Sequence, residues 1–329
     1  MNSPTINLQY TTINESLPDF IYEGLKPYVQ LSNTYHPQPI ELREKLAQKH
    51  KVPVEMIFLT AGIDEAIQMF AKTYGEHAYT FSPTYIEYKN VNDLGGSLTE
   101  VPSLIDGAFQ ISTELIPNAS LIFLANPNNP VGITSKEKVL ELVQNNRSAQ
   151  VVIDEAYGEF AEVSVISEVS NHQNLTLFRS FSKAYAMAGC RVGYFVSHPQ
   201  TIEKVRSKTQ WSNVSYLSIG AALIAMDHEE YYVSMRKTIR ERRDVYRKRI
   251  ADLGFTILPS HINAILLQFP TVEEGTQFVQ YLGEHQIVVS HGNGGSNIGL
   301  DHSFVRIAIG SESEMDFLFN SMRQYPQTT

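Results

Sequence analysis

The segment Leu175-Thr176-Leu177-Phe178-Arg179-Ser180-Phe181-Ser182-Lys183-Ala184-Tyr185-Ala186-Met187-Ala188-Gly189-Cys190-Arg191 joins an apolar strand, Leu175–Phe178, to a polar run. The strand is expected to stop where the polar residues begin. Two hydroxyls, a lysine and, eight residues on, an arginine then sit at a strand's carboxyl end. Ligands of open α/β sheets collect there. Hydroxyls and a guanidinium suit a phosphate, the guanidinium through forked, charge-assisted bonds. A lysine beside that phosphate, if partly desolvated, is nucleophilic enough to form an imine with an aldehyde. Taken alone, Ser-x-Ser-Lys is ordinarily a solvated lysine after a strand.

Working outward, short apolar runs alternate with amphipathic stretches. Further strands are expected at Met56–Leu59, Ala78–Phe81, Leu121–Ala125, Val151–Ile153 and Val192–Val196. Helices are expected at Asp64–Lys72, Ser135–Asn145 and Ile202–Trp211. Buried strands alternating with helices define an α/β class with a mostly parallel sheet. A long charged helix from Glu229 to Leu253 follows, with Met235, Ile239, Tyr246, Ile250 and Leu253 as its apolar stripe. Its basic residues, from Arg236 to Arg249, are interleaved with acids and read as a solvated face. Beyond it the rhythm changes to strands at Phe255–Leu258, Ala264–Phe269, Ile287–Val289 and Phe304–Ile309, with helices at Val272–His285 and Glu312–Tyr325. The expected organisation is an irregular, proline-bearing arm (1–34), a large domain (35–252) and a small α+β domain (253–329).

Three more constellations carry chemistry. Val151-Val152-Ile153-Asp154-Glu155-Ala156-Tyr157 puts a carboxylate at the end of a buried strand, with a phenol three residues later. Such a carboxylate can pair with a ring nitrogen that must stay protonated, and the phenol can donate to a neighbouring ring oxygen; alone, Asp154 is a strand-end cap. Asn126-Pro127-Asn128-Asn129-Pro130-Val131-Gly132 follows another strand, and Asn129 can present its amide to a ligand, although Asn-Asn-Pro by itself is turn chemistry. Thr60-Ala61-Gly62-Ile63-Asp64-Glu65 joins a strand to a helix whose free amides can hold a phosphate, unless it is a plain helix cap.

Composition narrows the class. The 329 residues are 43% hydrophobic and 19% charged, which excludes a disordered or low-complexity chain. With 26 Lys and Arg against 35 Asp and Glu the net charge is −9, which argues against nucleic acid or anionic lipid as the main partner. Cys190 is the only cysteine, so no intrachain disulfide and no four-thiolate zinc site are possible, and a reducing, cytoplasmic home is expected. The ten histidines show no metal-ligand spacing, so no metal site is expected. Met1–Asn7 lacks the pattern of a signal peptide, and no apolar run is long enough to span a membrane.

These four pieces, in this order, resemble the pyridoxal-phosphate aminotransferases of fold type I, and among them the histidinol-phosphate aminotransferase group. The most specific element is Ser-Phe-Ser-Lys-Ala-(x)5-Cys-Arg-Val-Gly-Tyr, with Asp-Glu-Ala-Tyr upstream. The resemblance runs from about Asn33 to Arg306 and implies an aspartate aminotransferase-like fold with pyridoxal 5'-phosphate as cofactor. It implies that Lys183 carries the cofactor as a Schiff base and that Asp154 pairs with its pyridine nitrogen. Asn129 and Tyr157 bond its ring hydroxyl oxygen. Ser180, Ser182, Arg191 and the amides around Gly62, Ile63 and Asp64 hold its phosphate, and Tyr85, in Ser82-Pro83-Thr84-Tyr85, stacks on the ring. Tyr35, in Asn33-Thr34-Tyr35-His36-Pro37, reaches the phosphate in a partner subunit, which implies a homodimer with shared active sites. Arg306, the one charge in the apolar strand Phe304-Val305-Arg306-Ile307-Ala308-Ile309, grips the substrate α-carboxylate; a structural salt bridge is the alternative. Ile262-Asn263-Ala264-Ile265-Leu266 resembles a family strand.

The likeness departs from the family where substrates are chosen. The family opening Asn-Glu-Asn-Pro-aromatic-Gly is matched only by Asn14 and Glu15 of Asn14-Glu15-Ser16-Leu17-Pro18-Asp19, which makes Asn14 a candidate substrate residue. After Ile287–Val289, histidinol-phosphate enzymes place an arginine suited to the substrate phosphate; this chain has Ser290, followed by a glycine-rich loop that is not a P-loop. The implied reaction moves an amino group between an amino acid, or a histidinol-phosphate-like amine, and a 2-oxo acid. Decarboxylation, elimination or side-chain cyclisation (as in capreomycidine-type synthases) on the same scaffold is the alternative. A cofactor-binding gene regulator would need a DNA-reading module, and no helix-turn-helix segment precedes residue 33.

Overall fold

The structure, a computed structural model, describes residues 5–161, 163–294 and 296–326. Met1–Pro4, read above for a leader, and Gly295 of the glycine-rich loop lie outside them.

Seven strands form the central sheet, in the order 57–60, 193–197, 175–180, 150–154, 121–125, 78–82 and 98–102. All neighbours are parallel except Gly193–Ser197, which runs antiparallel to both of its own. The inner strands Leu121–Ala125, Gln150–Asp154 and Leu175–Ser180 are buried along their whole length, as expected of a sheet covered on both faces. Leu175–Ser180 does not stop at Phe178. It continues through Arg179 because that guanidinium is buried against Glu155 (2.6 Å) and Glu159 (2.9 Å), so its charge is compensated inside the core.

A second, four-stranded antiparallel sheet orders Thr256–Leu258, Ala264–Gln268, Phe304–Ala308 and Ser290–His291. Helices Val272–Glu284 and Glu312–Met322 accompany it, the latter opened by a capping box in which Ser311 and Glu314 bond each other's backbone. Across this sheet Ser290 is the register partner of Arg306.

Several elements depart from expectation. The arm is not irregular: Ile6–Asn7 pairs in parallel with Ile287–Val288, and Asp19–Gly24 and Lys26–Gln30 are helices. Pro27 sits in the first turn of its helix, where a missing N–H costs nothing. The helix expected at Ile202–Trp211 is Pro199–Val205 followed by a single tighter turn. Helix Tyr216–Asp227 has no apolar stripe to announce it, since apolar residues cover most of its circumference. The long helix spans Glu229–Ala251, and its basic residues are not all solvated. Arg236 is buried against Glu229 (2.7 Å) and the Ala184 carbonyl, while Arg243 is buried with its Nη1 donating to the Ile262 carbonyl. Among the described residues no helix is long and apolar enough to cross a membrane.

Candidate active site

A cavity of about 400 Å³ opens at the carboxyl ends of the parallel strands, the place where such sheets bind ligands. Lys183, Asp154, Tyr157, Ile63, Asp64, Tyr85, Asn129, Ser180, Ser182 and Arg191 all line it. Residues from five separate loops therefore meet at one place.

Asp154 ends its strand fully buried. Its Oδ2 accepts from the Tyr88 hydroxyl (2.8 Å) and its Oδ1 from the Ala156 amide (3.0 Å). Burial raises its pKa to about 6 from the ordinary 3.8, although both hydrogen bonds pull the other way. Tyr88 was not singled out from the sequence. It lies three residues after Tyr85 and is wholly buried, stacked on Phe123 at 4.7 Å. Tyr85 meets it edge-on and donates to Asp64 Oδ1 (2.8 Å); burial, reinforced by that carboxylate, holds its phenol well above the ordinary tyrosine value.

On the opposite side, helix Ile63–Tyr74 begins at Gly62 with no side-chain cap, so its first amides are free at the cavity wall. Gly62 has φ +79°, and a Cβ there would run into the Arg191 guanidinium. Behind it, a Cβ on Gly193 would come within 2.7 Å of the Gly62 carbonyl carbon. The two glycines let helix, strand and arginine close together. Arg191 pairs with Asp64 at 2.7 Å, and Ser180 caps the short helix Phe181–Ala184 by accepting from the Ser182 amide.

Lys183 stands on that short helix. Its Nζ donates to Thr11 Oγ1 (2.8 Å) and to the Thr11 carbonyl (3.2 Å), and lies 5.4 Å from the centre of the Tyr157 ring. Thr11 Oγ1 also shares a 2.6 Å hydrogen bond with the Tyr157 hydroxyl. The arm residues Tyr10, Thr11 and Thr12, which nothing in the sequence marked, thus line the site together with Ile86, Glu87 and Ser296.

Three expected residues lie elsewhere. Asn14 does not line the cavity; its amide donates to the Asn7 carbonyl and to Glu314. Pairing of Ile6–Asn7 with Ile287–Val288, and of the Leu8 carbonyl with the Ala308 amide, fixes the arm so that Tyr10–Thr12 cross the site and Asn14 lies beyond it. Tyr35 is also outside its own chain's cavity, 79% exposed and 5.7 Å from the Trp211 ring. Arg306 sits behind the wall, 2% exposed. Its Nη1 donates to Asn129 Oδ1 (2.8 Å), Ser296 Oγ (2.9 Å) and Asn297 Oδ1 (2.8 Å), and its Nη2 to the Gln9 carbonyl (2.7 Å). The expected alternative of a structural salt bridge does not hold, since none of these acceptors is a carboxylate and its Nε has no partner among the described residues. Burial lowers its pKa from the ordinary arginine value. Ser290 is buried and donates to the Gly294 carbonyl.

This donor set fits pyridoxal phosphate. A lysine amine, a buried carboxylate for a protonated ring nitrogen, two phenols and an amide for the ring, and an arginine with two hydroxyls at an uncapped helix start for the phosphate share one cavity. The fold and this site define a vitamin-B6-dependent transferase with the aspartate aminotransferase-like architecture.

The comparisons narrow the class. The family model for "Aminotransferase class I and II" matches residues 28–321. A histidinol-phosphate aminotransferase from Geotalea daltonii is 30% identical over 298 residues, covering 89% of this chain and 82% of that one. Among solved structures, histidinol-phosphate aminotransferase from Sinorhizobium meliloti, in complex with pyridoxal-5'-phosphate, superposes with a TM-score of 0.87 at 23% identity over 98% of this chain and 90% of that one. L-Threonine-O-3-phosphate decarboxylase from Porphyromonas gingivalis does so at 0.82 and 24% over 96% and 98%, so the fold is shared across reactions. The chain belongs to the class I and II aminotransferases, pyridoxal-phosphate enzymes, and lies close to the histidinol-phosphate aminotransferases.

Proposed function

We propose that this enzyme transfers the amino group of an α-amino acid to a 2-oxo acid, with Lys183 as the residue that attaches the cofactor and moves the proton. The observation that carries this reading is that the Lys183 amine and the buried Asp154 carboxylate line the same cavity. Pyridoxal phosphate, when bound, supplies an aldehyde that condenses with amines and a ring that draws electrons from the substrate's α-carbon. Lys183 offers the resting amine for that condensation; released by the incoming substrate, its Nζ takes up the α-proton and gives it back. Asp154 holds a proton on the ring nitrogen, and the Tyr88 hydrogen bond keeps the carboxylate ionised for that purpose. Asn129, whose oxygen is held by Arg306, has its amide free to donate to the ring oxygen alongside Tyr157. Ser180, Ser182, Arg191 and the Ile63 and Asp64 amides hold the phosphate, with Tyr85 against the ring.

Arg306 receives the substrate carboxylate. A buried guanidinium served only by neutral oxygens is better satisfied by an anion, and its fork matches a carboxylate in two bonds. That preference favours retention of the carboxylate over decarboxylation. Ser290, engaged with Gly294, supplies no cation for a substrate phosphate, and Glu87 lines the wall, so the donor is read as an amino acid in preference to histidinol phosphate.

The enzyme is read as a cytoplasmic homodimer. Tyr35 and Trp211, neighbouring aromatic rings that are 79% and 69% exposed, suit burial against a second copy, where Tyr35 reaches the partner's phosphate site. The single cysteine suits a reducing compartment. The test is a panel of amino donors with 2-oxoglutarate, followed by mass spectrometry. Glutamate with the cognate 2-oxo acid is the expected product pair; loss of carbon dioxide or a cyclised product without glutamate overturns the reading.

A further inference from the structure

We infer that Thr11 is a positioning residue for the Lys183 amine, acting through its side-chain hydroxyl; the inference rests on the function proposed above. A charged lysine amine has three protons to place. Two of its contacts here, at 2.8 and 3.2 Å, are both to Thr11. Thr11 is only 3% exposed and its hydroxyl has one proton and two lone pairs, so accepting from Lys183 leaves it able to bond the Tyr157 phenol at 2.6 Å. Amine, hydroxyl and phenol thereby form one chain. A valine of the same shape would break both bonds.

The position of Thr11 is itself imposed from the second sheet. Asn263, immediately before the strand Ala264–Gln268, donates to the Thr11 carbonyl at 3.1 Å. Two residues earlier the Gln9 carbonyl is held by Arg306, and the Leu8 carbonyl by the Ala308 amide. A fixed backbone thus holds the hydroxyl where the amine must rest whenever it is not attached to cofactor. This role falls to the arm, outside all four sequence motifs.

Because the hydroxyl accepts from the amine, it fixes where the amine sits in the cavity. The other titratable groups lining this cavity are Tyr10, Asp64, Tyr85, Glu87, Asp154, Tyr157 and Arg191. The experiment measures the rate at which apoprotein captures added pyridoxal phosphate, from the rise in visible absorbance, at one pH for wild type, Thr11→Val and Thr11→Ser. Thr11→Val is expected to slow capture about tenfold, because its amine is no longer held at the cavity by the hydroxyl. Thr11→Ser, which keeps the hydroxyl, is expected to restore the wild-type rate. In the loaded enzyme Thr11→Val is expected to lower kcat about tenfold with KM nearly unchanged. Capture by wild type and Thr11→Val at the same rate, even if both melting temperature and yield fall, overturns the inference, as does a serine variant that fails to restore the rate. No capture by wild type overturns the underlying function instead.

Discussion

The Tyr88 hydroxyl donates to Asp154 Oδ2 at 2.8 Å in a wholly buried setting, opposite the Ala156 amide on Oδ1. Burial raises the pKa of this carboxylate, and the pair of hydrogen bonds opposes the rise. Removing the donor in Tyr88→Phe leaves burial less opposed, so the Asp154 pKa rises further above about 6. The acid limb of the kcat/KM profile is expected to move up by about one pH unit. An unmoved limb would show that Tyr88 only packs.

The same carboxylate has a stability consequence in the apoprotein. Its folded pKa lies above its unfolded value, so the folded state holds the proton more tightly. The carboxyl therefore contributes stability that is present below the ordinary 3.8 and lost as pH rises through about 6. The loss is roughly 2–3 kcal/mol. Asp154→Asn removes that loss. Its apoprotein is expected to melt several degrees above wild type at pH 7 and close to wild type at pH 4, while its transaminase activity is abolished. Calorimetry of both apoproteins at the two pH values checks this.

Gly62 has φ +79°, and a Cβ there meets the Arg191 guanidinium. Gly62→Ala is expected to cost about 1–2 kcal/mol of stability and to displace Arg191 from the phosphate site. Affinity for pyridoxal phosphate should fall at least tenfold, read by cofactor titration. Unchanged affinity would place the phosphate elsewhere.

Arg306 donates to Asn129, Asn297, Ser296 and Gln9, with no carboxylate among them. Arg306→Lys keeps the charge and loses the fork. KM for the amino donor is expected to rise about a hundredfold, with cofactor affinity within a few fold of wild type. Equal loss of both would make Arg306 a structural residue.

Much of this was legible because apolar runs mark buried strands, and polar residues at their ends mark the loops that meet above a parallel sheet. Lys183, Asp154, Asn129 and Arg191 share a cavity for that reason. The strap Tyr10–Thr12 was not legible. Its register depends on backbone bonds to residues 287–288 and 308, which leave no trace in side-chain pattern, and matching letters to Asn14-Glu15 selected residues beyond the site. Arg236 and Arg243 misled in the opposite sense: charge reads as solvated, yet an acid or a carbonyl compensates each inside the core. Leu175–Ser180 outran its apolar run because Glu155 and Glu159 neutralise Arg179. In most of these cases a partner distant in sequence overrides a local preference; for Arg236 the acid, Glu229, lies two turns away on the same helix.

The most direct test of the account is borohydride reduction of the cofactor-loaded protein, followed by peptide mass spectrometry. The reduced pyridoxyl group is expected on the peptide bearing Lys183, and to be absent from Lys183→Ala, which should also lose the visible absorbance. Attachment at another lysine, or a protein that takes up no cofactor at all, would contradict it.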